Sequence, residues 1–490
     1  MSEAPAARPV IPIAAVRDRD SATTEWVSMY QAQQKIHPRA VTGWFAAWRW
    51  LLVWGTQLLF YGLPWLEWNA RQAVLFDLGA RRFYIAGLVL YPQDFIYLTG
   101  LLVVSAYGLF LFTAVAGRLW CGFACPQTVY TEIYRWVERR FEGDRTARMK
   151  LDGAPWSAEK VLRKGGKQAA WIAIGLWTGF TFVGYFTPIR TLAAEAATLG
   201  FGPWEWFWIL FYGFATCGNA GYMREQVCKY MCPYARFQSA MFDRDTMIVS
   251  YDLQRGDPRG SRPRSLAHGA LAAAGKGDCI DCTLCVQVCP TGIDIRNGLQ
   301  YECIGCAACI DVCNGVMDKM EYPRGLIRFA TQNGLAHRWG RTEMLRRVLR
   351  PRVLIYSTVL IAIVVALAAS LVLRNPFRVD VIRDRGALAR EVQDGRIENV
   401  YRLQLMNASE SPQRFRIAVA GLQGAVLATG AQVDVGATEA RWAPVSVQLP
   451  PEAAHALGAG AHPLRFEVTR ASDGAGAAAV VEKSTFVVPR

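Results

Sequence analysis

The sequence predicts a multi-domain membrane protein: an α-helical transmembrane bundle of about five helices, a cysteine-rich module inserted before the last of them, and a C-terminal Ig-like β-sandwich. Three observations carry this prediction. Several apolar runs are long enough to cross a bilayer, and eight of the 13 cysteines fall into two near-identical runs. The residues after the last apolar run alternate apolar and polar side chains at period two.

Phe95–Ala116 and Val353–Leu373 hold no charge and are long enough to span a bilayer, and Ala169–Thr187 is similar. Gly43–Leu63 carries only Arg49, placed near one end where it can snorkel. Trp204–Tyr222, with Glu205 at its edge, completes five predicted spans. Aromatic residues (Trp44, Trp65, Tyr91, Trp204, Trp206) stand at their ends, as in interfacial belts. Orientation follows from lysine and arginine. Arg118–Lys167 contains 11 of them, whereas the loops on the other side hold Arg71, Arg81 and Arg82, and Arg190 alone. The positive-inside rule puts Arg118–Lys167 in the cytoplasm, together with the N-terminus and Met223–Arg352, and exports everything after Leu373. The net charge of +14 then reflects topology, and a nucleic-acid partner is not expected. Residues 1–42 are polar and rich in Pro and Ala, so no secretory leader is expected ahead of the first span.

The inserted module has the spacing of a bacterial-type 2[4Fe–4S] ferredoxin. Its runs are Cys279-x2-Cys282-x2-Cys285-x3-Cys289 and Cys303-x2-Cys306-x2-Cys309-x3-Cys313. A cubane cluster needs four thiolates. A turn with a cysteine every third residue supplies three, and the last cysteine of each run serves the other cluster. One cluster is therefore assigned Cys279, Cys282, Cys285 and Cys313, and the other Cys303, Cys306, Cys309 and Cys289. Isolated C-x2-C pairs also bind zinc, but two complete runs favour iron–sulfur. Two details depart from the pattern: Asn314 stands where Pro is expected, and the link from Cys289 to Cys303 is short. Gly305, Ala307 and Ala308 leave room for a cluster and for N–H groups that face its sulfurs.

A second cysteine pattern is duplicated. Cys121-Gly-Phe-Ala-Cys125-Pro126 follows the second predicted span and Cys228-Lys-Tyr-Met-Cys232-Pro233 follows the fourth. Each C-x3-C-P comes after a helical hairpin, which suggests two parallel repeats. Read as helical, the i, i+4 spacing puts both sulfurs on one face, with Pro ending or kinking the helix. Symmetric packing would bring Cys121, Cys125, Cys228 and Cys232 together at the cytoplasmic membrane boundary. Such thiols suit Cu(I), zinc or another iron–sulfur centre. Cys217 has no partner at this spacing and reads as a packing residue. All cysteines lie before residue 314, which fits reduced metal ligands better than disulfides. No histidine lies in a predicted span, arguing against a membrane haem, and no nucleotide-binding glycine motif follows a predicted strand.

Asp252–Gly277 reads as a Pro/Gly/Arg-rich linker. Near the C-terminus, Tyr401–Leu405, Arg414–Val419, Val445–Leu449, Leu464–Val468 and Ser484–Val488 alternate as sandwich strands do. The predicted segments are thus 1–42 (cytoplasmic), 43–222 (four-helix transmembrane region with cytoplasmic loop 118–168), 223–252 (second C-x3-C-P segment), 253–350 (linker and ferredoxin domain), 353–373 (fifth span) and 374–490 (exported β domain).

The two C-x3-C-P motifs, the double ferredoxin run and the exported β-rich tail together resemble the CcoG family of cytochrome c oxidase accessory proteins, also called FixG or RdxA. The resemblance covers nearly the whole chain. It implies a bacterial inner-membrane protein with two [4Fe–4S] clusters that assists assembly of cbb3-type oxidase and reduces Cu(II) to Cu(I) for its copper site. On that basis Cys121, Cys125, Cys228 and Cys232 are the candidate catalytic, copper-handling thiols of a cupric reductase. The expected partners are a cytoplasmic electron donor and, on the exported side, copper chaperones or oxidase assembly factors. Membrane polyferredoxins of the NapH and NosR type share the C-x3-C-P motifs, but would not be expected to end in this β domain. A quinol-linked electron-transfer subunit would show quinol-dependent cluster reduction. A non-enzymatic assembly scaffold would keep working with intact but redox-dead clusters.

Overall fold

Each of the five predicted spans is helical in the computed structural model. These helices are α1 (Trp44–Gly62), α2 (Phe95–Ala116), α3 (Ala158–Val183), α4 (Pro203–Thr216) and α5 (Pro351–Val372). The structure describes residues 35–490 apart from 264–267, 271–274, 385, 387–388, 473–478 and 490. Most of the N-terminal segment 1–42 and part of the Asp252–Gly277 linker therefore lie outside the described residues. Residues His37–Arg490 form one unit.

Among the described residues, two helical stretches are long and apolar enough to cross a membrane: Pro92–Ala116 and Pro351–Val372. They pack along each other, with Tyr107 edge-on to Tyr356 and the Tyr97 hydroxyl bonded to the Ser370 carbonyl at 3.1 Å. α3 begins well before its apolar run, because Ser157 caps it by accepting from the Lys160 N–H at 3.2 Å. α4 is short, and Glu205 is part of its start. The carboxylate accepts from the Gly202 N–H at 2.8 Å and the Thr187 hydroxyl at 2.9 Å, which accounts for a charge at this edge. α3 and α4 meet through small residues: a Cβ on Gly179 would run into the Ile209 backbone, and one on Gly175 would lie 2.8 Å from the Gly213 carbonyl oxygen. Beyond α4 the chain continues as two π-helical stretches, Cys217–Met223 and Val227–Met231. Such turns are rare and concentrate at functional sites.

The sequence pattern missed a small sheet between α1 and α2, formed by Val74–Asp77, Arg82–Ile85 and Leu88–Leu90. It packs on the C-terminal domain, where Leu75, Tyr84, Val89 and Tyr91 share a core with Met406. Buried Asp94 pairs with Arg374 at 2.9 Å and Arg378 at 2.6 Å, fastening the start of α2 to the chain leaving α5.

The C-terminal domain is a two-sheet β-sandwich. One sheet orders Val426–Thr429, Ala440–Leu449, Ile397–Asn407 and Phe377–Arg383, with Arg390–Glu391 added to Ile397–Asn407. The other orders Gln432–Val435, Gln413–Ala420, Gly460–Arg470 and Val480–Val488. All five predicted strands lie within these, and their inward residues, including Tyr401, Leu403, Phe415, Val445, Phe466 and Phe486, form the core. Phe377–Arg383 alternates too, but it follows α5 so closely that its pattern merges with the apolar run.

Candidate metal centres

The cysteine-rich module sits at the opposite end of α1 from the sandwich. Asp311, on the helix Ala308–Met320, accepts from the Phe45 N–H at 3.2 Å and the Ala46 N–H at 2.8 Å. It thus caps the first turn of α1 from a distant segment. Arg49 does not snorkel. It is buried and donates to the Cys306 carbonyl at 3.3 Å, so the module rests on this face of α1.

Two cysteine-lined cavities divide the eight thiols. Cys279, Cys282, Cys285 and Cys313 line one, with Tyr251, Met317 and Ile327. Cys289, Cys303, Cys306 and Cys309 line the other, with Pro290, Ile293 and Ile304. These are the two crossed sets that the spacing rule assigns, and Cys285 also borders the second cavity, so the cavities are adjacent. The short link after Cys289 still delivers that residue to the second set. Asn314 replaces the expected Pro because Ala308–Met320 is one continuous helix that a proline would break. Its side-chain oxygen accepts from the Gly325 N–H at 3.0 Å.

The two runs repeat the same backbone turns. Asp281 and Gly305, each two residues past the first cysteine, have φ of 56° and 70°, and Thr283 and Ala307, four past it, have 56° and 59°. Such left-handed residues turn successive N–H groups inward, forming cradles for negative charge. The Gly305 N–H bonds the Cys303 thiol and the Ala308 N–H the Cys306 thiol. Apolar walls, four thiols per cavity and inward N–H groups fit a [4Fe–4S] cluster in each. Cys282 is exposed, whereas Cys279, Cys285 and Cys306 are buried. Burial pushes the Cys303 thiol up to about 12, so in the absence of metal it stays protonated.

The C-x3-C-P motifs adopt matching structures, but not the continuous helical pair expected from their spacing. Cys121 lies in a short helix, Leu119–Phe123, and Cys125 is the N-cap of the next, Pro126–Glu142. Cys228 lies in the π-helical stretch Val227–Met231, and Cys232 is the N-cap of Pro233–Met241. Each proline starts a new helix instead of ending one, since at N1 its missing N–H costs nothing. The Gln127 and Thr128 N–H groups bond the Cys125 thiol.

The motifs converge. Cys121 and Cys228 both pack on the apolar group of Val288, Ile304, Cys306 and Ala308. The Cys121 thiol bonds Gln238 Oε1 at 3.2 Å, on the helix that Cys232 begins. Burial raises the Cys228 thiol to about 12, and Cys125, Cys121 and Cys232 add to the effect as neighbours. Buried Arg118 faces Cys121, Cys228, Cys232 and Cys303 and donates to the Tyr301 and Ala235 carbonyls. Cys217 stays apart. Its thiol bonds Tyr134 Oη and the Trp171 carbonyl, each at 3.3 Å, in keeping with a packing role.

The chain matches a family model described as a 4Fe–4S binding domain over residues 98–143 and one described as a 4Fe–4S dicluster domain over 223–332. A third, describing the Ig-like fold at the C-terminus of FixG, matches 367–489. The chain thus carries iron–sulfur cluster-binding domains. It is 40% identical to Protein RdxA of Cereibacter sphaeroides over 404 residues, covering 81% of this chain and 84% of that protein. Nitrogen fixation protein FixG of Rhizobium meliloti is 37% identical over 437 residues, with 82% of each chain covered. Protein RdxB of C. sphaeroides is 40% identical over 407 residues, covering 81% of this chain and 84% of that protein.

Proposed function

The chain belongs to the FixG/RdxA (CcoG) family, and from that premise we propose that it is a membrane-anchored electron-transfer protein that reduces Cu(II) to Cu(I) during assembly of a cbb3-type oxidase. The observation that carries the reading is the order of the thiol sets: one with an exposed cysteine, a second beside it with none exposed, and the four C-x3-C-P thiols next to that second set. Cys279, Cys282, Cys285 and Cys313 are the ligands of the outer cluster, and Cys289, Cys303, Cys306 and Cys309 those of the inner one. When bound, such clusters supply one-electron transfer at potentials set by their surroundings.

The rest is work for the chain's own residues. Exposed Cys282 marks the face for a cytoplasmic electron donor. The apolar walls exclude water, and the inward N–H groups offset negative charge. Arg118 holds positive charge between the inner set and the C-x3-C-P thiols. Copper is the substrate: Cu(II) takes up one electron beside Cys121, Cys125, Cys228 and Cys232 and leaves as Cu(I), the state soft thiolates favour, with no proton or bond exchanged. A five-span topology is part of the proposal. The ferredoxin module at one end of the helices, and the sandwich with its companion sheet at the other, support cytoplasmic and periplasmic placement respectively. The sandwich then contacts copper chaperones or oxidase assembly factors.

The test is anaerobic. Protein reduced in detergent is mixed with Cu(II) and a Cu(I)-specific chelator. Cluster reoxidation matched by one Cu(I) per electron is expected. If quinone reoxidises the clusters and Cu(II) does not, the quinol-linked reading replaces this one.

A further inference from the structure

We infer that the cleft between α1, α3 and the helix Pro126–Glu142 binds an isoprenoid quinol, with its ring among tryptophans and a ring hydroxyl on Gln57. The walls of this cleft carry no cysteine, so it is separate from the thiol sets, and a ligand there is independent of the copper reading.

The shape of the cleft follows from one face of α1. Trp50, Val53, Trp54, Gln57, Leu58 and Tyr61 recur at spacings of three and four, so they line one side of the helix. From Trp50 to Gly62 that side runs about 18 Å, from the rise per residue of a helix. Facing it are Trp136 and Arg139 from Pro126–Glu142, and Ala173 and Trp177 from α3. The volume is about 900 Å³, within the range of about 300–1,000 Å³ usual for small-molecule sites. Trp54, Leu58 and Trp136 are exposed, so the cleft opens on the outer surface of the helices, where a five-span topology puts lipid. Its ligand therefore enters from the bilayer. Arg49, which directly precedes Trp50, donates to the Cys306 carbonyl, so one helix carries both the cleft and a contact to the inner thiol set.

Chemistry narrows the ligand. Gln57 is 8% exposed, lines the cleft, and has a buried Oε1 with no hydrogen-bond partner. An unmet buried acceptor is costly, so this one calls for a donor from the ligand. One turn further on, Tyr61 adds a second acceptor. The Thr178 hydroxyl donates to the Ile174 carbonyl at 2.8 Å, so the Tyr61 hydroxyl must be the donor to Thr178, at 2.9 Å. The Tyr61 oxygen is then left to accept, and Tyr130 stands at the limit of reach, 3.5 Å away. A lipid acyl chain brings no donor, and an oxidised quinone brings only acceptors. A quinol brings hydroxyl donors on a flat ring that Trp and Tyr faces stack against. Its prenyl tail suits the apolar remainder of the cleft.

The test is a binding titration of the full-length protein in detergent, kept anaerobic and read by tryptophan fluorescence. The probe is decylubiquinol, a short-tailed quinol, with decylubiquinone and phosphatidylglycerol as separate arms. Saturable binding of the quinol is expected, tighter than that of the quinone and not displaced by phosphatidylglycerol. Gln57→Leu should weaken quinol binding by about two- to tenfold, the worth of one hydrogen bond, and narrow its margin over the quinone. Ala173→Phe, which fills the cleft from an exposed position, should abolish binding, whereas Ile361→Phe, on the exposed face of α5, should leave it unchanged. Thermal melting shows which variants are folded, and Ala173→Phe serves if Gln57→Leu is not. No saturable binding, displacement by phosphatidylglycerol, or unchanged binding in the folded variants overturns the inference. Binding is read without cluster reduction or copper, so a quinol site in a protein that does not reduce Cu(II) would leave this inference standing and remove only the proposed function.

Discussion

Substituting Gly122 by alanine tests the contact between the C-x3-C-P thiols and the inner cluster site without touching a thiol. The added methyl would lie 2.7 Å from both N and Cα of Cys306 and 2.8 Å from the carbonyl carbon of Gly305. Ordinary contact begins at 3.4 Å, so the two segments must part by about 0.7 Å (3.4 less 2.7). Both obstacles are backbone, so no side-chain rotation relieves the clash. Gly305 cannot yield easily either: its φ is 70°, and a Cβ there would lie 3.1 Å from the Arg118 carbonyl. Overpacking of this kind costs about 1–3 kcal/mol. Gly55→Ala is the control, since a Cβ there meets nothing within 4 Å. Thermal melting in detergent should show Gly122→Ala clearly below the parent and Gly55→Ala beside it. EPR of the reduced protein should show a changed signal for the cluster at Cys289, Cys303, Cys306 and Cys309, and an unchanged one for its neighbour. If Gly122→Ala melts with the control and both signals match the parent, the contact does not exist as described.

Two further predictions concern charge and ligation. Glu138 is fully buried and pairs with Arg148 at 2.7 Å and Arg224 at 3.0 Å, tying the helix that Cys125 caps to the segment leading to Cys228. Burial alone would raise its carboxyl pKa, but Arg224, Arg148 and Lys167 outweigh that and hold it at about 2, against an ordinary 4.5. Its contribution, roughly 3 kcal/mol, is therefore complete above pH 4.5 and lost as pH falls toward 2. Glu138→Gln should destabilise at neutral pH by about 3–5 kcal/mol, by leaving buried arginines unpaired, and should flatten the acid limb of a stability–pH curve. Parallel curves for parent and variant would contradict it. Separately, Cys279→Ser and Cys313→Ser should perturb one and the same EPR signal although they lie in different runs; disturbance of different signals would refute the crossed assignment.

Local spacing made much of this legible. The cysteine runs assigned each thiol to its cavity, because cluster geometry dictates positions over a few residues and the fold must comply. The sandwich strands showed for the same reason, each alternating over its own length. What was not legible depended on contacts between distant segments. Arg49 looked like a snorkelling residue because nothing nearby in sequence reveals the Cys306 carbonyl. The C-x3-C-P spacing suggested one helix, since i, i+4 does not show that a proline begins the next. The sheet at 74–90 was hidden by strands of three or four residues, whose apolar faces are completed by Met406 in another domain. Gly305 was read as making room for a cluster, whereas its open side also admits the backbone of Arg118.

The cap that Asp311 places on α1 bears on how the protein is made. The amide donors at the start of the first helix find their partner in a residue synthesised long after that helix has left the ribosome. Until then this end of α1 lacks the Asp311 cap, and the Cys306 carbonyl that Arg49 reaches is not yet in place. Asp311 stands two residues from Cys309 and two from Cys313, so the turn that supplies the cap is the one that two cluster ligands fix. The cap on the first helix and the ligand turn of the cysteine-rich module thus share one short stretch of chain.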